Sequence, residues 1–228
     1  MARSHTFAPG EYYHLYSRGI EKRAIFIDKK DYERFIKILF YCNSKKHVVI
    51  RDLPIGLTFG SSLDRRGDPI AYIGAYCLMP NHFHLLVKEK EIGGISLFMQ
   101  KLVTAYTMYF NEKYKRKGRL FESSYKSVHA NNDEYLKYLY AYIHLNPIKL
   151  IDTHWRENGI KQDEITMKYL KEFSFSSFLD YTNEKSEKRE EALLLNQSEF
   201  PQYFQTPDAF LQSLSDWISY PEVKPMGE

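Results

Sequence analysis

The spacing of apolar and polar positions changes several times along the chain, and each change predicts an element. Tyr12 to Arg18 reads as a first strand. Phe35, Ile38, Leu39 and Cys42 recur at helical spacing within a helix from Asp31 to Cys42. Lys46 to Arg51 is expected to form a short strand. Leu53 to Pro69 is rich in glycine, serine, proline and charge and reads as a loop; its Gly56, Gly60 and Gly67 match no phosphate-loop spacing. Ile70 to Leu78 is a strand, Pro80-Asn81 a turn, and His82 to Lys88 the antiparallel partner. Ile95 to Lys115 predicts a long helix with Leu97, Phe98, Leu102, Ala105, Met108 and Tyr109 on one side. Ser124 to His129 is a further strand. The run from Asp133 to Pro147 is a helix that Asn132 or Asp133 can cap and that Pro147 disfavours from Asn146 onward. Beyond residue 157 the patterning weakens. Ile165 to Phe173 and Phe210 to Ile218 look helical, and Lys185 to Glu191 is a charged stretch, helical or solvated.

The order β-α-β-β-α-β-α predicts an α+β fold: a ferredoxin-like or RRM-like antiparallel sheet with helices on one face, plus a mostly helical C-terminal appendage. The expected division is residues 1–156 as the domain that carries the chemistry and residues 157–228 as an acidic appendage. Charge sharpens that division. The whole chain is +3, but residues 1–156 carry 25 Lys+Arg against 15 Asp+Glu, and residues 157–228 carry 7 against 14. A basic half favours a phosphate-backbone partner through counterion release. The densest cluster is Lys113, Lys115, Arg116, Lys117 and Arg119, with Arg65-Arg66 as a second point; the bland reading of such a run is a solvated helix end. The two cysteines form no CxxC, which argues against a cysteine zinc site or a disulfide framework. Neither an apolar leader nor a membrane-length apolar run is present, so a cytoplasmic protein without a membrane partner is expected. The 19 tyrosines and 15 phenylalanines are mostly core, with a minority available to stack on unpaired bases.

Two segments carry candidate chemistry. In Pro80-Asn81-His82-Phe83-His84-Leu85-Leu86-Val87, strand alternation puts His82 and His84 on one face and Phe83, Leu85 and Val87 on the other. The imidazoles start roughly 7 Å apart and can converge on one ion; a surface strand exposing two histidines is the competing reading. In the later helix, Tyr142 and Asn146 are four residues apart and share a face. They offer a phenolic nucleophile beside an amide oxygen. Tyr135, Tyr138, Tyr142 and Leu145 also form a stripe of the kind that usually packs a core, and periodicity does not say which tyrosine, if any, reacts. Among the other histidines, His144 falls on a different helix face from Tyr142, and His14 depends on an unknown strand register.

The Met79–Val87 run is similar to the HUH signature, two histidines around one hydrophobic residue. The run Tyr142-Ile143-His144-Leu145-Asn146-Pro147 resembles the nucleophile helix of single-tyrosine HUH transposases. Tyr13-His14-Leu15-Tyr16-Ser17-Arg18-Gly19, then Gly118-Arg119-Leu120-Phe121-Glu122, then Tyr125-Lys126-Ser127 extend the likeness to the REP-associated tyrosine transposases over roughly residues 10–155. Residues 53–69 look enlarged against that family. The resemblance implies an enzyme that cuts and rejoins single-stranded or hairpin DNA through a 5′-phosphotyrosine, with Mg²⁺ or Mn²⁺. By position it implies His82, His84 and Asn146 as metal ligands and Tyr142 as nucleophile. Arg18, Lys115, Arg116, Lys117 and Arg119 are the expected DNA contacts, although Arg18 and Arg119 fit surface ion pairs equally well. A homodimer is compatible with this reading. Two other functions stand beside it: a non-catalytic single-stranded RNA-binding module, and a metal hydrolase that uses water and leaves Tyr142 as packing.

Overall fold

The computed structural model describes residues 6–50, 58–155, 163–182 and 189–219. Four strands, β1 (Tyr12–Arg18), β2 (Ala71–Met79), β3 (His82–Glu89) and β4 (Lys126–His129), form one antiparallel sheet in the order β2-β3-β1-β4. The helices are α1 (Lys29–Cys42), the single turn α2 (Leu63–Arg66), α3 (Gly94–Lys113), α4 (Asp133–Leu145), α5 (Asp163–Glu172), α6 (Phe178–Thr182) and α7 (Pro207–Ser219). This is the α+β, ferredoxin-like architecture that the alternation of periods predicts.

Side-chain parity decides what covers each sheet face. Tyr13 and Leu15 of β1 and Phe83, Leu85 and Val87 of β3 point to the layer of α1 and α3, where Phe35 packs on Phe83 at 5.1 Å and on Tyr106 at 4.8 Å between ring centroids. A capping box starts α1: Asp28 accepts from the amide of Asp31, and Asp31 accepts from the amide of Asp28. The Asp31 carboxylate, fully buried, also accepts from Lys113 at 2.7 Å, Tyr114 at 2.7 Å, Tyr109 at 3.0 Å and the Ile27 amide at 2.8 Å, tying α1 to α3. On the opposite face, Ala75, Cys77, Met79 and Leu86 pack against Leu136, Leu139, Tyr142 and Ile143 of α4.

The C-terminal segment closes the outer edge of β2, which would otherwise present unpaired backbone groups. Leu78 N donates to Phe175 O at 3.0 Å, Tyr76 N donates to Ser177 Oγ at 2.9 Å, and Asn196 N donates to Ile73 O at 2.8 Å. At the β2 irregularity Gly74 admits the Phe200 ring; a Cβ there would sit 2.7 Å from it. Arg189 grips the buried Asp180 carboxylate through two nitrogens, at 2.9 and 2.8 Å, and donates to Tyr76 Oη at 2.7 Å. Above this, α7 packs on α4, with Trp217 5.1 Å from Tyr138.

Three expectations differ from what forms. Residues 47–49 adopt no strand, and Arg51 lies outside the described residues; Lys101 Nζ donates to the carbonyl of Ser44 and to that of Lys46, the second a group the expected ladder would need. The 53–69 segment, described from residue 58, is not all loop. A 3₁₀ turn at Gly60–Ser62 and α2 form where Phe59 stacks on Phe40 at 4.4 Å and Tyr41 donates to Ser62 Oγ at 2.8 Å. The buried face of α3 is Ile95, Phe98, Met99, Leu102, Tyr106 and Phe110, while Leu97 and Met108 are 41% and 67% exposed. The helix stops at Lys113 because Lys115 (φ 53°) and Gly118 (φ 85°) turn the chain back through left-handed conformations.

Candidate active site

The register brings three segments that are distant in sequence onto one patch of sheet. Arg18 pairs with His82, Tyr16 with His84 and His14 with Leu86, so Tyr12, His14, Tyr16 and Arg18 share the face of His82, His84 and Leu86. Across the same face runs α4. Its start is fixed by Asn132 Oδ1, which accepts from Tyr135 N at 2.7 Å, and by acids at the positive end of the helix. Its end comes before Pro147, where the chain tightens into a 3₁₀ turn over Asn146–Leu150.

His82 and His84 lie with ring centroids 4.9 Å apart and planes nearly perpendicular. His82 is half-buried at the open end of the strand, and His84 is buried. His82 Nδ1 is 2.6 Å from Asn81 Oδ1. An amide oxygen only accepts, so the proton of neutral His82 sits on Nδ1 and its lone pair on Nε2. His84 Nδ1 shares a hydrogen bond with His14 Nε2 at 2.9 Å, the two rings lying 5.0 Å apart and 21° from parallel. Tyr142 stands edge-on to both, 5.2 Å from His84 and 5.6 Å from His14. Tyr135, Tyr138 and Tyr142 are all buried, as the stripe predicts. Tyr142 meets the imidazoles, while Tyr138 packs between Tyr135 and Trp217. The Lys149 ammonium, from the 3₁₀ turn, lies 5.8 Å from the Tyr142 ring centroid.

Asn146 is fully buried. Its Nδ2 donates back to Tyr142 O at 2.9 Å, and its Oδ1 makes no hydrogen bond among the described residues. A buried amide oxygen left this way costs free energy unless something accepts its lone pairs. Two imidazoles with their Nδ1 atoms engaged, plus an amide oxygen, are a donor set that fits a divalent ion of borderline character. Among the described residues no group of three or more His, Cys, Asp or Glu side chains is arranged to hold a metal. Cys77, paired with His84 across β2 and β3, is buried, which pushes its thiol far above the ordinary range and keeps it neutral.

Other sequence candidates fall elsewhere. Buried His144 shares hydrogen bonds with Tyr140 O at 2.8 Å and Ser177 Oγ at 2.7 Å, and burial pushes its pKa down to about 3, so it is a neutral structural imidazole. His129, on β4, pairs with Glu11 at 2.7 Å. Arg18 is half-exposed beside His82. Lys115, Lys117 and Arg119 are exposed on the loop after α3, and that loop leads to Leu120–Glu122, which hydrogen-bonds along Arg18–Ile20. Arg116 turns inward to Asn111 Oδ1 at 3.1 Å and covers Phe110. The sequence offers no signal for Lys149 and leaves His14 open. His14 needed the β1–β3 register, and Lys149 needed the turn that folds it back toward Tyr142. Tyr16, stacked on His14 at 5.0 Å with Lys126 Nζ 5.8 Å from its ring, also borders the site.

Comparison with known proteins adds family information. No curated protein matches the chain. Among solved structures, a REP-associated tyrosine transposase bound to a REP hairpin aligns with 13% identity and a TM-score of 0.46, covering 83% of this chain and 98% of that one. The tRNA(His) guanylyltransferase of Saccharomyces cerevisiae aligns with 11% identity and a TM-score of 0.37, covering 92% and 86%. No helix among the described residues is long and apolar enough to cross a membrane. The model of the family described as Transposase IS200 like matches residues 69–146, a span that holds β2, the histidine pair on β3, α3, and α4 through Asn146. Over that span, the chain is similar to the IS200-like transposases.

Proposed function

We propose that this chain is a metal-dependent, transposase-like enzyme that cuts and rejoins single-stranded DNA at hairpin-forming repeats through a 5′-phosphotyrosine on Tyr142. The observation that carries the proposal is the meeting of Tyr142 with His84 at 5.2 Å and His14 at 5.6 Å. Nothing in a packing role requires a helix tyrosine to stand against imidazoles from two strands. The match of residues 69–146 to a transposase family supports the same reading.

A phosphodiester is unreactive toward a phenol, whose ordinary pKa is about 10. His82, His84 and Asn146 would hold a divalent ion, Mg²⁺ or Mn²⁺. When bound, the ion supplies charge to a non-bridging phosphate oxygen and aligns the strand. Tyr142 Oη attacks phosphorus, the bond from phosphorus to the 3′ oxygen breaks, and that oxygen leaves with a proton as a 3′-OH. The Lys149 ammonium, 5.8 Å from the Tyr142 ring centroid, would set a positive charge beside the attacking side chain. A later 3′-OH reverses the step on the phosphotyrosine and joins two strands. Arg18, Lys115, Lys117 and Arg119 would hold the phosphate backbone around the open end of β1, and Arg116 shapes their loop. In this reading residues 1–156 carry the chemistry, and the acidic C-terminal segment braces β2.

The RNA-binding alternative asks for an open, aromatic sheet face. Here α4 packs across the centre of that face, which disfavours it. The test is incubation with hairpin-bearing single-stranded DNA, unstructured DNA and matched RNA, with Mn²⁺ or excess chelator. The expected result is a covalent adduct on hairpin DNA that vanishes with chelator and in His82→Ala or His84→Ala. Binding to every nucleic acid without an adduct would return the protein to the binding-module reading, and free cleaved product without an adduct would favour the hydrolase.

A further inference from the structure

His14 lies 68 residues before the histidine pair, and no ligand role fell to it from the sequence. It is 3% exposed and its ring is nearly parallel to that of His84, which is 2% exposed. The hydrogen bond between His14 Nε2 and His84 Nδ1, at 2.9 Å, is fully buried. Tyr16 stacks on the His14 ring at 5.0 Å, and Tyr142 meets its edge region at 5.6 Å, so His14 is fenced on more than one side. An imidazole that binds a metal through one nitrogen has its tautomer and tilt set by what the other nitrogen touches. For His82 that partner is Asn81 Oδ1. For His84 it is His14.

We propose that His14 is a positioning residue. Its Nε2 accepts from His84 Nδ1–H, fixing His84 as the Nδ1–H tautomer and aiming the Nε2 lone pair at the ion that His82 and Asn146 share. This rests on the metal reading given above. His14 then carries its own proton on Nδ1. A carboxylate in that place would add charge beside the phosphate; a neutral imidazole orients His84 without it. Gln at position 14 can place an amide oxygen near the location of Nε2, whereas Phe fills the ring volume and accepts nothing.

Two measurements test it. Histidine nitrogen NMR on the wild type above neutral pH reads the tautomer of His84 without any metal; Nδ1–H is expected, and Nε2–H overturns the proposal. Mn²⁺ titration followed by the electron paramagnetic resonance of the free ion reads affinity, with thermal melting as the control for folding. His14→Phe is expected to weaken Mn²⁺ binding about 10–100-fold, and His14→Gln to recover most of that loss. Wild-type protein that binds Mn²⁺ through His82 while a folded His14→Phe binds it equally well overturns the positioning role alone. Wild-type protein whose Mn²⁺ binding is absent, or is indifferent to His82→Ala, overturns the metal reading and the purpose assigned to His14 with it. If His14→Phe does not fold, the wild-type tautomer and His14→Gln still decide.

Discussion

Tyr142→Phe separates the chemistry of the site from its packing. The variant removes one oxygen and keeps a ring that is 3% exposed and lies 5.2 Å from His84, 5.6 Å from His14 and 5.7 Å from Tyr138. The ring contacts survive. The loss is at most one buried hydroxyl interaction, about 1 kcal/mol, or a fall of about 2–4 °C in melting temperature for a chain of this size. Affinity for hairpin DNA should stay at the wild-type value. Cleavage should fall to background, because no other atom takes the place of the attacking oxygen. The assay uses one oligonucleotide labelled in two ways. A 3′-label should travel with the protein on a denaturing gel, and a 5′-label should leave on a free fragment ending in a 3′-OH. Tyr138→Phe, one turn earlier on the same helix, should retain both patterns. An adduct that persists in Tyr142→Phe and disappears in Tyr138→Phe would falsify the assignment; an adduct carrying the 5′-label would refute the polarity of attack.

Three further outcomes follow from the same structure. Replacing the exposed Lys115, Lys117 and Arg119 together (Lys115→Asn to respect its φ of 53°) should reduce the slope of log affinity against log salt on single-stranded DNA by about 2. An unchanged slope in a salt titration would remove the loop from the interface. Burial by itself would raise the pKa of Asp31, but the hydrogen bonds from Lys113, Ile27 N, Tyr114 and Asp28 N outweigh it and hold the carboxyl below its ordinary value. The stability this adds is present above the unfolded carboxyl pKa of about 3.9 and is lost as pH falls through and below it. Urea midpoints should therefore drop more steeply with acid below about pH 4 in the wild type than in Asp31→Asn, and parallel curves would contradict the assignment. Arg189→Met strands the Asp180 carboxylate, whose side chain is 2% exposed, and should cost about 3–5 kcal/mol in denaturant unfolding; a cost below about 1 kcal/mol would mean the C-terminal segment docks without that pair.

Much of the fold could be read from residue order alone, because strand and helix periods are local properties. The alternation at His82–Val87 fixed which side chains oppose the core, and Pro147 after the capped run from Asp133 fixed the length of α4. Local signals misled where a distant partner decided. Lys101 takes the Lys46 carbonyl that a strand at 46–50 would use, and the true apolar face of α3 is selected by the layer it meets, leaving Met108 outside.

The site divides along the same line. Residue identity and local period set the chemistry available: two imidazoles on one strand face, a tyrosine and an amide one helical turn apart, and a basic half of the chain. Which of these groups meet is set by how the sheet and helices pack. Register is a property of two strands at once, so His14 could reach His84 only when β1 paired with β3. The choice of Tyr142 over Tyr138 as the ring against the imidazoles depends on how α4 is rotated on the sheet. Contacts from α4 to the sheet on one side and to α7 on the other oppose that rotation. Periodicity gives a helix its faces, but the angle at which a face meets another layer is set by the packing of both.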